Sequence, residues 1–307
     1  MERATAPAAE ELAPREQLAP ANGIELAYEE LGDPAGEPML LIMGLATQMI
    51  FWDVELCELL GEHGYRVIRF DNRDIGHSTK IDAAGVPNDA AMVLGYGRPA
   101  YRLADMALDT VGLLDHLEIE RAHVVGASMG GMIAQQVAID HPGRTASLTS
   151  IMSATGNRRY RFPRWRAFGS LMAKPPSSRD GYIDQAVKTF KVIGSPAYPM
   201  DEPRFRELVG LSYDRSFHPA GVARQLHAIS CSGNRTARLR QLDLPALVVH
   251  GTADPLIRMS AGRETAASIR GAKLWLIEGM GHDLPVALHE RFADEIDANA
   301  RRARGVG

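Results

Sequence analysis

The chain has 307 residues, 45% hydrophobic and 23% charged, which suits one large domain or a core with an insertion. A formal net charge of −4 gives no reason to expect a nucleic-acid partner, and no apolar run approaches the roughly 20 residues of a membrane span. Its two cysteines, Cys57 and Cys231, show no metal-ligand spacing and fit a reducing, cytoplasmic setting.

Residues 1–20 are rich in Ala, Pro and Glu, lack the apolar stretch of a signal peptide, and read as a flexible tail. Residues 23–32 alternate and then turn, as an early strand does. Residues 38–45, PMLLIMGL, form a short apolar run that reads as a buried strand. Residues 52–64 have helical spacing, and 65–71 read as a strand followed by the loop NRDIGHST, where Asp71 is expected to hold Arg73. Residues 101–117 read as an amphipathic helix, with Leu103, Met106 and Leu114 on its apolar face. A strand over 122–128 runs into a helix over 129–142 that Pro142 closes, and 145–154 is a further strand. Residues 244–255 and 272–283 carry two more strands around a helix over 263–269, and 285–302 form a final helix.

Strands that alternate with helices predict a mostly parallel central sheet covered on both faces. Ligands of such sheets sit at the carboxyl ends of the strands. Residues 154–236 break the alternation and read as an inserted, mainly helical lid between core segments 21–153 and 237–307. The insertion holds 14 Lys+Arg against six Asp+Glu, an excess of positive charge in an acidic chain.

Polar residues with chemical potential gather at the predicted strand ends. Gly126-Ala127-Ser128-Met129-Gly130 places a serine between small residues where a strand turns into a helix. A nucleophile projecting from a sharp turn needs glycines on both sides, and the helix that follows aims its N-terminal amides at it. A serine hydroxyl also needs a base, normally a histidine oriented by a carboxylate. His282 in EGMGHDLP follows the last strand. His250 in LVVHG reads as a packed core residue, His77 is a weaker candidate, and His141 sits at a helix end. Asp254 in VVHGTADP ends its own strand before a proline, whereas Asp283 beside His282 points elsewhere. A structural strand–helix turn and an Asp-Pro turn are the alternatives for Ser128 and Asp254.

These segments resemble the α/β-hydrolase family, over about residues 23–153 and 237–300. FDNRDIGHS is similar to the family's D-x-R-G-x-G-x-S loop, with Asp74 in place of the first glycine. GTADP and GMGHD match further segments, and the order Ser128, Asp254, His282 is that of the family. LLIMGLATQMIFW with RVIRFDNRDIGHST most resembles the branch of aclacinomycin methylesterases. The resemblance implies an oxyanion hole made of the Leu45 and Met129 amides. It implies a serine carboxylic-ester hydrolase that acts on a small-molecule ester, with no metal or organic cofactor.

The branch implies removal of a methyl ester from a bulky, polycyclic polyketide. Opening of a macrolactone, small-ester hydrolysis and cofactor-free perhydrolase or haloperoxidase chemistry share the triad, as do carbon–carbon bond hydrolases. Epoxide hydrolases and haloalkane dehalogenases carry aspartate at the elbow, which Ser128 does not match. A non-enzymatic ligand receptor on the same fold would leave Ser128 unlabelled by a covalent serine probe. Gly44, Trp52, Tyr160, Trp165 and Met280 are expected to line the substrate pocket, with Met129 and Met132 as further candidates.

Overall fold

The strand periodicity of two divides the apolar residues between two cores, one on each face of a single sheet. The computed structural model describes residues 16–160, 163, 167, 169, 173, 174 and 176–305. Its strands are β1 (Gln17–Ala21), β2 (Ile24–Gly32), β3 (Glu37–Ile42), β4 (Tyr65–Phe70), β5 (Ala122–Ala127), β6 (Thr145–Ile151), β7 (Ala246–Gly251) and β8 (Lys273–Ile277). They lie in the order β1-β2-β4-β3-β5-β6-β7-β8. β1 with β2 and β2 with β4 are antiparallel, and every later pair is parallel.

The helices are α1 (Val54–Glu62), α2 (Asp89–Leu94), α3 (Leu103–His116), α4 (Met129–Asp140) and α5 (Arg179–Ile193), then α6 (Glu202–Arg215), α7 (Pro219–Cys231), α8 (Thr236–Leu239), α9 (Met259–Ala267) and α10 (His289–Arg301). Leu40, Ile42, Val124 and Leu148 face the core that α3 and α4 cover. Met39, Leu41, Val125 and Ile151, one residue out of phase, face the core under α1 and α10. The helices connecting the parallel strands thus lie on both faces, as the alternation requires.

Register brings the strand ends level. Ile42 pairs with Gly126, Ala127 with Ile151, and Ile151 with Val249. Met43, Ser128, Met152 and His250 therefore follow one another along the same edge. Helices α5, α6 and α7 lie between β6 and β7 in sequence. No helix among the described residues is long and apolar enough to cross a membrane.

Two expectations are corrected, and one helix is added. Residues 17–20, expected in the tail, belong to β1, which pairs from Gln17↔Tyr28 to Ala21↔Ile24. The signal was the Asn22-Gly23 turn, whose two residues have φ of 49° and 79°, as a two-residue hairpin of the favoured twist demands. Only the small side chains of Ala19 and Ala21 are buried in this edge strand, so it carried no apolar run to read. Helix α2 was not anticipated, although Asn88 caps it by accepting from the Ala91 amide at 2.8 Å. The expected partnership of Asp71 and Arg73 is absent. Arg73 instead pairs with Asp109 of α3 at 2.5 Å, and Asp71 accepts from the Met49 amide at 2.7 Å and from Arg215 at 3.0 Å.

Candidate active site

Ser128 occupies the turn between β5 and α4 with φ 56° and ψ −118°, a conformation costly for any residue with a side chain. Its neighbours show why the turn tolerates little else. A Cβ on Gly130 would stand 2.0 Å from the Ile42 carbonyl oxygen, and one on Gly126 would stand 2.2 Å from that of Gly130. The turn is held from below: Ser128 N–H donates to the Ile151 carbonyl at 2.9 Å, and Ser153 Oγ donates to the Ser128 carbonyl at 2.7 Å.

His282 Nε2 lies 2.9 Å from Ser128 Oγ, and its Nδ1 lies 2.8 Å from Asp254 Oδ2. A carboxylate only accepts, so Nδ1 carries the proton and Nε2 is left to accept from the serine hydroxyl. The other Asp254 oxygen accepts from the Leu256 and Ile257 amides at 2.8 and 2.9 Å. Those two bonds fix the carboxylate at the end of β7. His250, read as a core histidine, is fully buried, and its Nε2 donates to the Ile257 carbonyl at 2.8 Å. It also stands 3.5 Å from Asp254. Burial holds the His250 imidazole below the ordinary histidine range. His77 is far from this group, with Glu16 and the Arg215 carbonyl as its ring partners.

The histidine loop is clamped by residues with no recognisable sequence signal. His282 N–H donates to the Ile193 carbonyl at 2.7 Å, at the end of α5. Ser195 Oγ donates to Asp283 at 2.5 Å and accepts from the Gly281 amide at 2.8 Å. Asp283 does therefore point away from the imidazole.

The loop after β3 closes against the serine. A Cβ on Gly44 would lie 3.1 Å from Ser128 Cβ and 3.7 Å from its Oγ. Among the described residues, neither the Leu45 nor the Met129 amide donates to a protein acceptor. Two unengaged N–H groups beside a serine are what a developing oxyanion needs.

Ser128 and His282 open into a cavity of about 2240 Å³. Gly44, Leu45, Met129, Met132 and Tyr160 line it, together with Met152, Leu226 and Ile257. Trp52 and Met280 do not, contrary to expectation. Both are fully buried in the core under α1 and α10. The short turn over Met49–Phe51 sends Phe51 to the cavity and its neighbour Trp52 inward. The close approach of the Met280 carbonyl to the end of β7 seats that residue beneath the site. Trp165 lies outside the described residues.

Asp74, which replaces a family glycine, has φ 71°, the left-handed region that favours glycine but also admits aspartate. Its buried carboxylate receives Arg224 of α7 at 2.7 and 2.8 Å and the Tyr101 hydroxyl at 2.6 Å. Burial pushes this carboxyl upward, and the Arg224 and Tyr101 hydrogen bonds outweigh it, leaving the group below the usual aspartate range.

The methylesterase resemblance has its counterpart among known proteins. The chain is 29% identical to the rhodomycin D methylesterase of Streptomyces sp. (strain C5), over 91% of this chain and 96% of that protein. The rhodomycin D methylesterase of Streptomyces peucetius matches with the same identity and coverage. The structure of the meta-cleavage product hydrolase from Pseudomonas fluorescens IP01 superimposes with a TM-score of 0.72 at 20% identity, covering 94% of this chain and 98% of that one. At that identity the likeness speaks for the fold alone. The model of the alpha/beta hydrolase fold family matches residues 37–286, which hold the elbow, the carboxylate and the histidine. The chain belongs to the alpha/beta hydrolase fold family.

Proposed function

We propose that this chain is a serine carboxylic-ester hydrolase that removes a methyl ester from a bulky, polycyclic, polyketide-like compound in the cytoplasm. The observation that carries the reading is the unbroken run of hydrogen bonds from Asp254 through His282 to Ser128, on a strained turn that opens into a large cavity.

In this reading His282 Nε2 takes the Ser128 proton as Oγ attacks the ester carbonyl. The Leu45 and Met129 amides receive the charge that develops on the carbonyl oxygen, each worth about 3 kcal/mol in the transition state. The protonated imidazole gives its proton to the departing methanol. Water then enters, His282 takes one of its protons, and the hydroxyl attacks the acyl carbonyl; the acyl–Oγ bond breaks as the imidazolium returns that proton to Ser128 Oγ, releasing the acid. Asp254 remains ionised and keeps the proton of the resting imidazole on Nδ1. Each step is served by groups of the chain and by water.

Residues 21–153 and 237–307 act as the core and 154–236 as the lid. The positions of α5, α6 and α7 around the cavity support that division. The methyl ester and polycyclic body are inferred from the two methylesterase relatives, and the cavity is large enough for such a body.

Mass spectrometry of incubations with wild type and Ser128→Ala tests the reading. A methyl-ester polyketide that loses the mass of one CH₂ only with wild type is the expected result. A macrolide that gains one water instead moves the substrate to macrolactones. Unchanged turnover by Ser128→Ala, with contaminating esterase excluded, removes the mechanism.

A further inference from the structure

Four arginines are buried among the described residues: Arg69, Arg73, Arg224 and Arg235. A guanidinium cannot shed its charge, so burial is tolerable when a carboxylate goes with it. Arg69 has Glu29 at 2.5 Å, Arg73 has Asp109 at 2.5 Å, and Arg224 has Asp74 at 2.7 Å. Arg235, only 3% exposed, has no acidic partner among the described residues.

What it has is neutral. Its Nε donates to Gln135 Oε1 at 3.2 Å, and its Nη2 donates to the Ala154 carbonyl at 2.9 Å. Its Nη1 has no hydrogen-bond partner among the described residues. Glu264, the acid that approaches the same loop, is occupied by Thr155 Oγ1 at 2.8 Å and Asn157 Nδ2 at 2.6 Å. Burial alone, with no charged neighbour to oppose it, pushes the Arg235 guanidinium down to about 10.

The uncompensated charge borders the cavity of Ser128. Arg235, Gly156 and Gly233 all line it. A Cβ on Gly156 would stand 2.0 Å from the Gly233 carbonyl oxygen and 3.5 Å from Nη1, so this backbone packs closely beside the guanidinium without taking up that nitrogen. Two other acids of the cavity wall are engaged by cations, Asp53 by Arg204 at 2.6 Å and Glu202 by Lys191 at 2.7 Å. Gln135, the anchor of Arg235, lies seven residues along α4 from Ser128, about 10 Å of helix axis. The free donor is therefore separate from the oxyanion position.

We propose that Arg235 binds a carboxylate that the substrate carries at the end remote from the ester, so that the preferred substrate is an anionic ester. The planar fork of a guanidinium matches a carboxylate, and a bound carboxylate supplies the counter-charge the fold omits. The net positive charge of residues 154–236 favours the approach of such a substrate. The substrate assignment rests on the esterase reading, whereas carboxylate binding at Arg235 can be measured without turnover.

Calorimetry with biphenyl-4-carboxylate and biphenyl-4-carboxamide tests it on wild type, Arg235→Gln and Arg235→Lys. In wild type the carboxylate should bind about tenfold more tightly or better, the size of one charge-assisted hydrogen bond. Arg235→Gln should lose that preference, and Arg235→Lys should keep the charge but only part of it. Equal binding of the two probes, or of neither, by wild type overturns the proposal. So does a preference that survives in Arg235→Gln. If Arg235→Gln fails to fold, an undiminished preference in Arg235→Lys also overturns it. Hydrolysis of p-nitrophenyl acetate and labelling of Ser128 by a fluorophosphonate are followed in parallel. Failure of both counts against the esterase reading and leaves the calorimetry to decide Arg235.

Discussion

A single hydroxyl, imidazole and carboxylate carry the proposed chemistry, and their substitutions should have unequal effects. Ser128→Ala removes the nucleophile and should lower kcat/KM by about 10⁶, with circular dichroism unchanged. His282→Ala should be about as severe. Asp254→Asn keeps His282 in place but supplies an amide where Nδ1–H needs an acceptor, so a loss of about 10⁴ is expected. Equal activity in wild type, Asp254→Asn and His282→Ala would refute the assignment. These residues were readable because each combines a reactive side chain with a recognisable local frame: strand, turn, then polar residue. Trp52 and Met280 had only their side-chain type to recommend them. A one-residue difference in direction, Phe51 outward and Trp52 inward, is invisible in composition.

At the scale of elements, the elbow and the joint between core and insertion are the sensitive places. Gly130→Ala would drive a methyl group into the Ile42 and Met43 carbonyls, at 2.0 and 2.7 Å, and backbone cannot yield as a flexible side chain can. Little soluble, folded protein is expected from that variant, as judged by its thermal transition. The Asp74–Arg224 pair ties the loop after β4 to α7 and is almost wholly buried. Asp74→Asn keeps a residue that tolerates the left-handed backbone but leaves the guanidinium only the exposed Asp82, at 3.0 Å, as a charged partner, and should cost about 2 kcal/mol in urea denaturation. Adding Arg224→Met should return part of that loss, because an apolar pair needs no desolvation of charge. No further loss or gain from the second substitution would show that the pair does not couple the two elements. Asp74 was noticed as a departure from the family loop, but its partner 150 residues away could not be inferred from either segment.

For the whole molecule, three histidines buried in different places set the acid response. His123, His250 and His289 are all held below the ordinary histidine range by burial. Their folded values lie below the unfolded value near 6.5, so the unfolded chain takes up protons first. Their contribution to stability is fully present above pH 6.5 and is lost as pH falls through and below it, at up to about 1.4 kcal/mol per pH unit for each group. Asp109 and Asp283, raised by burial, act with the opposite sign at lower pH, above their unfolded value of 3.8. Urea midpoints should therefore fall between pH 7.5 and 5.5, and His250→Asn should reduce the slope whatever it does to the absolute stability. A flat profile in wild type would contradict the burial of these rings.

Sequence patterning by itself determined the layered sheet, the positions of its central strands and the three polar strand ends. Those features arise from local periodicity and from turns that only certain residues can make. Tertiary structure decided the rest. The edge strand β1 depends on pairing with β2 rather than on its own apolarity. The clamp of Ile193 and Ser195 on the histidine loop joins residues nearly 90 apart. The pairing of buried charges is likewise a matter of three-dimensional neighbours. Arg235 is one more arginine in a basic stretch until the fold shows that, among the described residues, three other buried arginines found a carboxylate and this one did not. Local sequence encodes the bias of a segment, whereas burial and electrostatic compensation depend on what distant segments bring to the same point.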